Sequence, residues 1–177
     1  MTLKVSQFRD ESADREAIRD CIWRYCRGVD RANEAMLRSA YWPDAVDEHA
    51  GLYSGPAKDF IDQSVTNLHS LGDTMHYVTN MLIRIEGDTA KAESYYYAIH
   101  RLENDGPVRD VIGCGRYLDR FEKREDEWRI AHRVVAIDWF RDYGDSGDWA
   151  IGPFGLGDAS RGKRGPQDLS SSWLDLK

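Results

Sequence analysis

The chemistry of this chain is expected from one histidine and one aspartate that lie far apart in the sequence. His76 stands at the start of an apolar, β-branched run, residues 77–83, whose composition is typical of a strand. A histidine at a strand mouth can line a sheet-bounded cavity, where burial and a carboxylate partner adjust a group that titrates near neutral pH. Asp30, which follows a helical pattern, is the candidate carboxylate. Taken alone, the pattern around His76 is more often that of a hydrogen-bonded structural histidine.

The segment before Asp30 has the periodicity of an amphipathic helix. Its apolar residues recur at intervals of three and four, and charged residues occupy the other face. The apolar positions are Ile18, Cys21, Ile22, Tyr25, Cys26 and Val29. If the helix continues to Asp30, the carboxylate points at the core, where an unpaired charge costs several kcal/mol and therefore requires a partner. The alternative is that the helix ends at Gly28 and that Asp30 caps the next helix.

The rest of the pattern places helices first and strands second, which is typical of an α+β domain. Two further helices are predicted over 33–41 and 56–71, with a short strand between them at 45–49. Turn sequences then divide the chain into long antiparallel strands, predicted over 77–86, 90–102, 108–123 and 128–140. Gly113 and Gly115 are expected bend or bulge points. A strongly bent mixed, mainly antiparallel sheet wrapped round the N-terminal helices would form a cone-shaped barrel.

Composition restricts the classes of partner. A formal net charge of −7 without a basic block argues against a nucleic-acid surface. Neither a leader pattern nor a long apolar stretch is present, which disfavours secretion and a membrane span. The three cysteines lack CxxC and Cys/His spacing, so we expect reduced thiols in a cytoplasmic protein. Six Trp and nine Tyr exceed what packing requires, so part of this aromatic surface is expected to line a small-molecule cavity.

A change in composition divides the chain near Tyr143. Residues 1–143 are predicted to form the cone, and residues 144–177, which are rich in Gly and Ser, an extended C-terminal tail. Apolar residues at intervals are expected to anchor this tail over the pocket mouth or across a subunit boundary. These anchors are Trp149, Phe154, Leu156 and Trp173.

Four segments resemble proteins of the SnoaL-like family. They are Tyr25–Arg31, Tyr41–Ala45, Thr74–Asn80 and Trp128–Arg133. The likeness spans roughly residues 10–143 and is greatest to the branch that holds scytalone dehydratase, bile acid 7α-dehydratase and hexachlorocyclohexane dehydrochlorinase. The resemblance implies a nuclear-transport-factor-like α+β cone around a cofactor-free pocket, in which a His/Asp dyad removes a proton while water or halide leaves.

The resemblance also implies roles for individual residues. The Gly-Val-Asp motif places the family's aspartate at Asp30, and the His-Tyr-x-Thr-Asn motif places its histidine at His76. These two are the expected catalytic residues. The expected substrate-binding residues are Tyr25, Tyr53, Asn80, Tyr96, His100 and Arg133.

The support for these binding residues differs. Tyr25 and Arg133 correspond to a pocket tyrosine and a pocket arginine of the resembling enzymes, whereas no motif fixes His100. The pleat places Tyr96 and His100 on one face of their strand and Tyr95 on the other, and which face lines the cavity stays open. By the same alternation, His132 should face away from Arg133.

The sequence therefore predicts a cofactor-independent lyase, a dehydratase or a related β-elimination enzyme, acting on a medium-sized apolar substrate, cyclic or not. One alternative is a ketosteroid-type isomerase, which uses the same base. The other is a non-catalytic small subunit or ligand-binding protein that resembles the β subunit of ring-hydroxylating dioxygenases. A structural subunit has no need of a His/Asp pair in a pocket. As in the resembling enzymes, a homotrimer is expected.

A metal site is a weaker alternative. Five residues could converge on an ion: Asp47, Glu48, His49, His76 and His100. No His-x-His or His-x3-His pair is present, and neighbours on a strand face opposite ways. Asp47 and Glu48 are expected to lie at a solvated edge instead. Activity is expected to need neither a metal nor a dissolved cofactor.

Overall fold

In the computed structural model of the chain, helices come first and a single sheet follows. The structure describes residues 5–49, 51–103, 106–145 and 162–174. The helices are α1 (Val5–Asp30), α2 (Glu34–Ser39), α3 (Ala57–Ser70) and α4 (Leu169–Trp173). The strands are β1 (Tyr41–His49), β2 (Tyr53–Pro56), β3 (Thr74–Glu86), β4 (Thr89–Leu102), β5 (Arg109–Arg124) and β6 (Glu127–Asp142).

The sheet has six strands in the order β2-β1-β6-β5-β4-β3. β1 and β6 pair in parallel, and the other neighbours pair antiparallel. The predicted α+β cone with a mixed, mainly antiparallel sheet is confirmed. The sheet is open rather than a closed barrel, because β2 and β3 form its two edges.

The core lies between α1 and the inner face of the sheet. All six apolar positions predicted from the helical period are buried, with at most 8% of their surface exposed. They pack in one cluster with sheet residues such as Tyr117, Phe121 and Ile130. Burial of each large apolar side chain contributes about 1.5–3 kcal/mol. This face therefore holds α1 in a fixed orientation and sets the direction of its last residue, Asp30.

The end of α1 decides between the two interpretations of Asp30. The helix continues through Gly28 to Asp30, and α2 is capped by Asn33, whose side chain accepts a hydrogen bond from the Met36 amide at 2.9 Å. Gly28 does not end the helix; a glycine is needed there because α1 packs closely against α2. A Cβ at this position would lie 2.8 Å from the Leu37 nitrogen and 2.9 Å from its Cα.

Strand β1 differs from its prediction. It begins at Tyr41, whereas the sequence placed residues 33–41 in a helix and started the strand at residue 45. Pro43 falls where the pairing with β6 shifts register, between Tyr41 and Val46. A proline lacks the amide that a regular ladder requires, so it is compatible with such an irregularity.

The sheet also settles which face of β4 is internal. Tyr96 and Ala98 are buried, whereas Tyr95 and Tyr97 are 43% and 37% exposed. His100 shares the inner face with Tyr96 and Ala98 because side chains alternate along a strand. Gly115 lies at the predicted bulge, where the register with β6 shifts.

Two further observations concern the expected class of protein. Cys21, Cys26 and Cys114 are free thiols. Within the part of the chain that the structure describes, no helix is long and apolar enough to cross a membrane. A cytoplasmic location and the division at residues 143/144 stay predictions.

Part of the predicted tail can be compared with the structure. Three of its expected anchors, Trp149, Phe154 and Leu156, lie outside the described residues. Trp173 is 87% exposed, so it does not anchor the tail on this chain. The described part, residues 162–174, contacts the end of α1 through Gly165, whose amide donates to the Arg31 carbonyl at 2.6 Å.

Replacing Gly28 with alanine should destabilise the protein. Helix propensity alone favours alanine by about 1 kcal/mol, but the new Cβ meets the backbone of Leu37, and overpacking of this kind costs about 1–3 kcal/mol. We expect a lower free energy of unfolding in urea. Gly113→Ala is the matched control, because nothing lies within 4 Å of a Cβ there. Equal stability of the two variants would contradict the packing argument.

Candidate functional site

Asp30 and His76 meet where α1 ends and β3 begins. His76 Nδ1 lies 2.7 Å from Asp30 Oδ1, and the backbone amide of His76 donates to Asp30 Oδ2 at 2.9 Å. The Thr74 hydroxyl donates to Asp30 Oδ1 at 3.1 Å. Only 7% of the His76 side chain and 10% of the Asp30 side chain are exposed. Both oxygens of this nearly buried carboxylate are therefore hydrogen-bonded, which offsets its loss of hydration.

The geometry defines which nitrogen of His76 carries the proton. A carboxylate accepts only, so Nδ1 must donate to Asp30. When the imidazole is neutral, Nε2 is then its unprotonated nitrogen, with a lone pair available to a proton. The arrangement is that of a general base whose ring is oriented by an acid partner.

The local sequence explains how this pair is formed. Asp30 lies four residues after the buried Cys26, so the helical period places it on the inner face of α1. Along β3, Thr74 and His76 alternate with exposed Met75 and so point inward. Because β3 is an edge strand, the outward amide of His76 is left to the carboxylate rather than to another strand.

A second imidazole lies beside the first. His100 is paired with Thr74 across β3 and β4, and its ring meets the His76 ring edge-on, with centroids 5.2 Å apart. Burial, assisted by the charge of His76, lowers the pKa of His100 from 6.5 to about 4. His100 is therefore neutral at physiological pH and adds a polar group without a charge.

Arg133 is buried and held on two sides. It donates to Asp119 through Nε at 2.7 Å and Nη2 at 2.8 Å. Its guanidinium carbon lies 4.1 Å from the ring centroids of both Tyr25 and Tyr117. Nη1 has no hydrogen-bond partner in the part of the chain that is described. A buried donor without a partner is costly, and it is a natural contact for an acceptor on a bound molecule.

Tyrosines surround this arginine. Tyr96 stacks on Tyr117 at 4.6 Å, and Tyr25 meets Tyr117 edge-on at 5.6 Å. Burial raises the pKa of the Tyr25 hydroxyl, so Tyr25 stays protonated and can donate. The structure thus places Tyr25, Tyr96 and Arg133 around Tyr117, and their role in substrate binding stays a prediction.

Two predicted binding residues lie elsewhere. The Tyr53 hydroxyl donates to the Pro56 carbonyl at 2.7 Å, which occupies it within the β2 turn. Asn80 is exposed, because the register of β3 shifts between Val78 and Met81 and turns Asn80 away from the inner face. The structure brings neither side chain to the dyad.

The prediction that Asp47 lies at a solvated edge is wrong. Its side chain is fully buried and accepts hydrogen bonds from the Tyr41 hydroxyl at 2.7 Å and from His49 Nδ1 at 3.1 Å. β1 is covered by β2 on one side and β6 on the other. The sequence missed this pair because the β2 segment, with Gly55 and Pro56, has the composition of a turn.

The side chains next to Asp47 on β1 and next to Arg133 on β6 point to the opposite face of the sheet, as the alternation along a strand predicts. Glu48 and His132 pair on the opposite face, with His132 Nε2 2.8 Å from Glu48 Oε1, whereas Arg133 is internal as predicted. No group of three or more His, Cys, Asp or Glu side chains with the geometry of a metal site occurs among the described residues.

The described part of the tail adds a residue that the sequence did not indicate. Arg164 Nη1 donates to the Val29 carbonyl at 3.4 Å, and Nη2 donates to the carbonyl of Gly72 and, at 3.5 Å, to the Thr74 hydroxyl. Arg164 therefore bridges the end of α1 and the start of β3, next to the hydroxyl that holds Asp30. A single charged residue in a Gly-rich segment has no periodic signal by which it could be found.

Comparison with known proteins yields a family and several sequence relatives, two of which are described here. A family model described as a SnoaL-like domain matches residues 10–134. The chain is 28% identical over 153 residues to terrestric acid biosynthesis cluster protein E of Penicillium crustosum, covering 78% of this chain and 89% of that protein. It is 25% identical over 136 residues to hexachlorocyclohexane dehydrochlorinase 1 of Sphingobium indicum, covering 74% and 86%.

A solved structure shows the same fold. It is that of a proposed scytalone dehydratase from Novosphingobium aromaticivorans, which superposes with a TM-score of 0.68 and 21% identity. The superposition covers 76% of this chain and 91% of the other. At this level of identity the likeness establishes the architecture.

His100 should make the folded protein lose stability as the pH falls from 6.5 to about 4. Within that window the unfolded chain binds a proton at this residue, whereas the folded chain, in which the pKa is lowered to about 4, does not. The free energy of unfolding should fall by about 3 kcal/mol from this cause. His100→Asn removes the effect, so urea unfolding at several pH values should give a shallower decline for the variant. Parallel declines would contradict the burial of a neutral His100.

Proposed function

The chain belongs to the SnoaL-like family, and on that premise we propose that it is a cofactor-independent lyase in which His76 is the general base. The observation that carries the proposal is the nearly buried Asp30–His76 pair, joined at 2.7 Å. A buried carboxylate that orients an imidazole is costly to build and serves proton transfer directly. The names of the relatives, a dehydrochlorinase among them, support an elimination.

In the proposed reaction, His76 Nε2 removes a proton from a carbon adjacent to a carbonyl or to the carbon that bears the leaving group. The C–H electron pair becomes the new double bond, and the leaving group departs with its own bonding pair. The Asp30 carboxylate stabilises the imidazolium that forms. Neither a nucleophile nor a redox group is needed for this sequence of bond changes.

The developing negative charge needs donors inside the cone. Arg133 Nη1, which has no hydrogen-bond partner among the described residues, and the protonated Tyr25 hydroxyl are the proposed donors. Asp119 holds the guanidinium in place, and its central carbon lies 4.1 Å from the ring centroids of both Tyr25 and Tyr117. His100 and Tyr96 are proposed to contact the substrate from β4. The aromatic lining favours a medium-sized apolar substrate.

A ketosteroid-type isomerase is the alternative that shares most with this proposal. It would use the same base and return the proton to another carbon, so the product would keep every atom of the substrate. Loss of water or halide, followed by mass spectrometry, separates the two reactions. A non-catalytic subunit would leave the buried dyad without a role.

Replacing His76 with alanine should reduce turnover by about two to four orders of magnitude, because general-base catalysis is lost. Asp30→Asn should also lower kcat strongly with little change in KM. The amide keeps the shape of the carboxylate but can donate to Nδ1, which stabilises the wrong tautomer. Assays would follow alkene formation from cyclic β-hydroxy and β-chloro ketones in the presence of chelator, with folding checked by circular dichroism.

His132→Ala is the matched control for these variants. His132 also pairs with a carboxylate, Glu48, but on the outer face of the sheet, and its replacement should leave turnover unchanged. Wild-type activity in both His76→Ala and Asp30→Asn would contradict the lyase proposal and favour a structural role. Loss of wild-type activity with chelator, restored by a divalent ion, would contradict cofactor independence.

The chain should assemble as a homotrimer through the outer face of its sheet. An exposed row runs across the sheet in register through Tyr77 on β3, Tyr97 on β4 and Trp139 on β6, each 37–48% exposed, with Cys114 of β5 between Tyr97 and Trp139. Contiguous apolar surface of this kind is typical of an interface. Light scattering at micromolar concentration should give the trimer mass, and Tyr97→Arg should lower it. A monomer mass for the wild type would refute the prediction.

A further inference from the structure

A second histidine–carboxylate pair lies inside the sheet, formed by His49 and Asp47 on β1. The fully buried Asp47 side chain holds His49 Nδ1 at 3.1 Å and accepts from the Tyr41 hydroxyl at 2.7 Å. The His49 ring stacks on Phe60 of α3, with centroids 4.6 Å apart and planes 20° apart. These contacts fix the imidazole and leave Nε2 on the side of the ring away from Asp47. Neither the proposed base nor the proposed charge donors use this pair.

The pair faces the same interior as the dyad. Asp47 is the register neighbour of Arg133 across β1 and β6, and both are fully buried. The charge of Asp47 reaches the hydroxyl of Tyr25 on α1, where it helps to raise the pKa. Asp47 and Arg133 thus lie on one inner surface, and Tyr25 links them to the helix that ends at Asp30.

His100 links the two pairs electrostatically. Besides burial, four charges act on its pKa: His76 from β3, Asp30 from α1, Arg164 from the tail and His49 from β1. His76, Arg164 and His49 lower the pKa, whereas Asp30 raises it. His76, Asp30 and His49 therefore act on one imidazole from three elements of the cone, β3, α1 and β1.

A general acid in addition to the base assists the departure of some leaving groups and not of others. Chloride leaves as a stable anion and needs no proton, whereas hydroxide is a poor leaving group and departs readily only as water. An interior built for chloride loss requires one base. An interior built for water loss gains from an acid as well, positioned separately from the base.

We propose that His49, held by Asp47, is the general acid that protonates the leaving hydroxyl, and that the substrates are β-hydroxy carbonyl compounds rather than halides. This inference rests on the proposed elimination with His76 as base. It assigns a catalytic role to a residue outside the family's dyad and narrows the substrate class.

The bond changes balance as follows. The C–H bond breaks, its proton goes to His76 Nε2, and its electron pair forms the C=C bond. The C–O bond breaks with its pair on oxygen, and the proton on His49 Nε2 completes a water molecule. His76 ends as the imidazolium and His49 as the neutral ring. Transfer of one proton from His76 to His49 through water restores the starting state, and this transfer completes the cycle.

Two probes that differ only in the leaving group test the proposal. Both 3-hydroxycyclohexanone and 3-chlorocyclohexanone give cyclohexenone, which is followed by its absorbance after subtraction of the uncatalysed rate. His49→Phe keeps an aromatic ring against Phe60 but removes the acid. We expect kcat for the hydroxy probe to fall by about two to four orders of magnitude, and kcat for the chloro probe to change by less than about threefold. His49→Gln should behave in the same way, and His132→Ala should affect neither probe.

The outcomes separate this inference from the function on which it rests. If His76→Ala abolishes elimination from both probes while His49→Phe lowers both equally or neither, the acid role is overturned and the base role stands. Turnover of the chloro probe alone by the wild type overturns the substrate class. The absence of elimination from both probes also overturns that class. If His76→Ala retains wild-type turnover, the proposed lyase mechanism itself fails.

A measurement without substrate tests whether His49 faces the shared interior. Because the charge of His49 helps to lower the pKa of His100, His49→Phe should raise that pKa above its value in the wild type, as followed by NMR titration of the His100 ring protons. His132→Ala should leave it unchanged. An unchanged His100 titration in His49→Phe would place His49 outside the shared interior and overturn the proposal.

Discussion

The burial of one carboxylate at the end of α1 is the constraint on which the rest of this structure depends. An unpaired Asp30 there would cost several kcal/mol, and its hydrogen-bond donors all come from the first residues of β3, the Thr74 hydroxyl and two N–H groups of His76. The C-terminal end of α1 and the first residues of β3 must therefore lie next to each other in the fold. The apolar face of α1 orients the helix for this contact, and the edge position of β3 frees the amide that completes it.

The interior contains further carboxylates, and each is matched with a cationic or ionisable partner. Asp119 meets Arg133, and Asp47 meets His49. A buried ion pair contributes little more to stability than apolar residues of the same volume, so such pairs are poor devices for folding alone. Under the proposed mechanism they would instead provide fixed charges that do not need to reorganise when a substrate changes its own charge.

The sequence predicted those parts of the molecule that repeat. Six apolar positions over α1 and four long strands gave sustained periodicity, and the helical period extended to Asp30 identified a carboxylate directed inward. Pairing with His76 came from the resemblance to a family, because no local pattern joins residues 46 positions apart. Single departures from a pattern were missed. The β3 register shift turned Asn80 outward, and the turn-like β2 concealed that Asp47 lies in an internal strand.

Arg164 and Gly165 bind the carbonyl groups of Val29, Arg31 and Gly72, which lie at or next to the end of α1 and just before β3. The residues matched by the family model end at position 134, well before this segment. The end of the cone that holds Asp30 is thus braced from outside by a segment that the family model does not match.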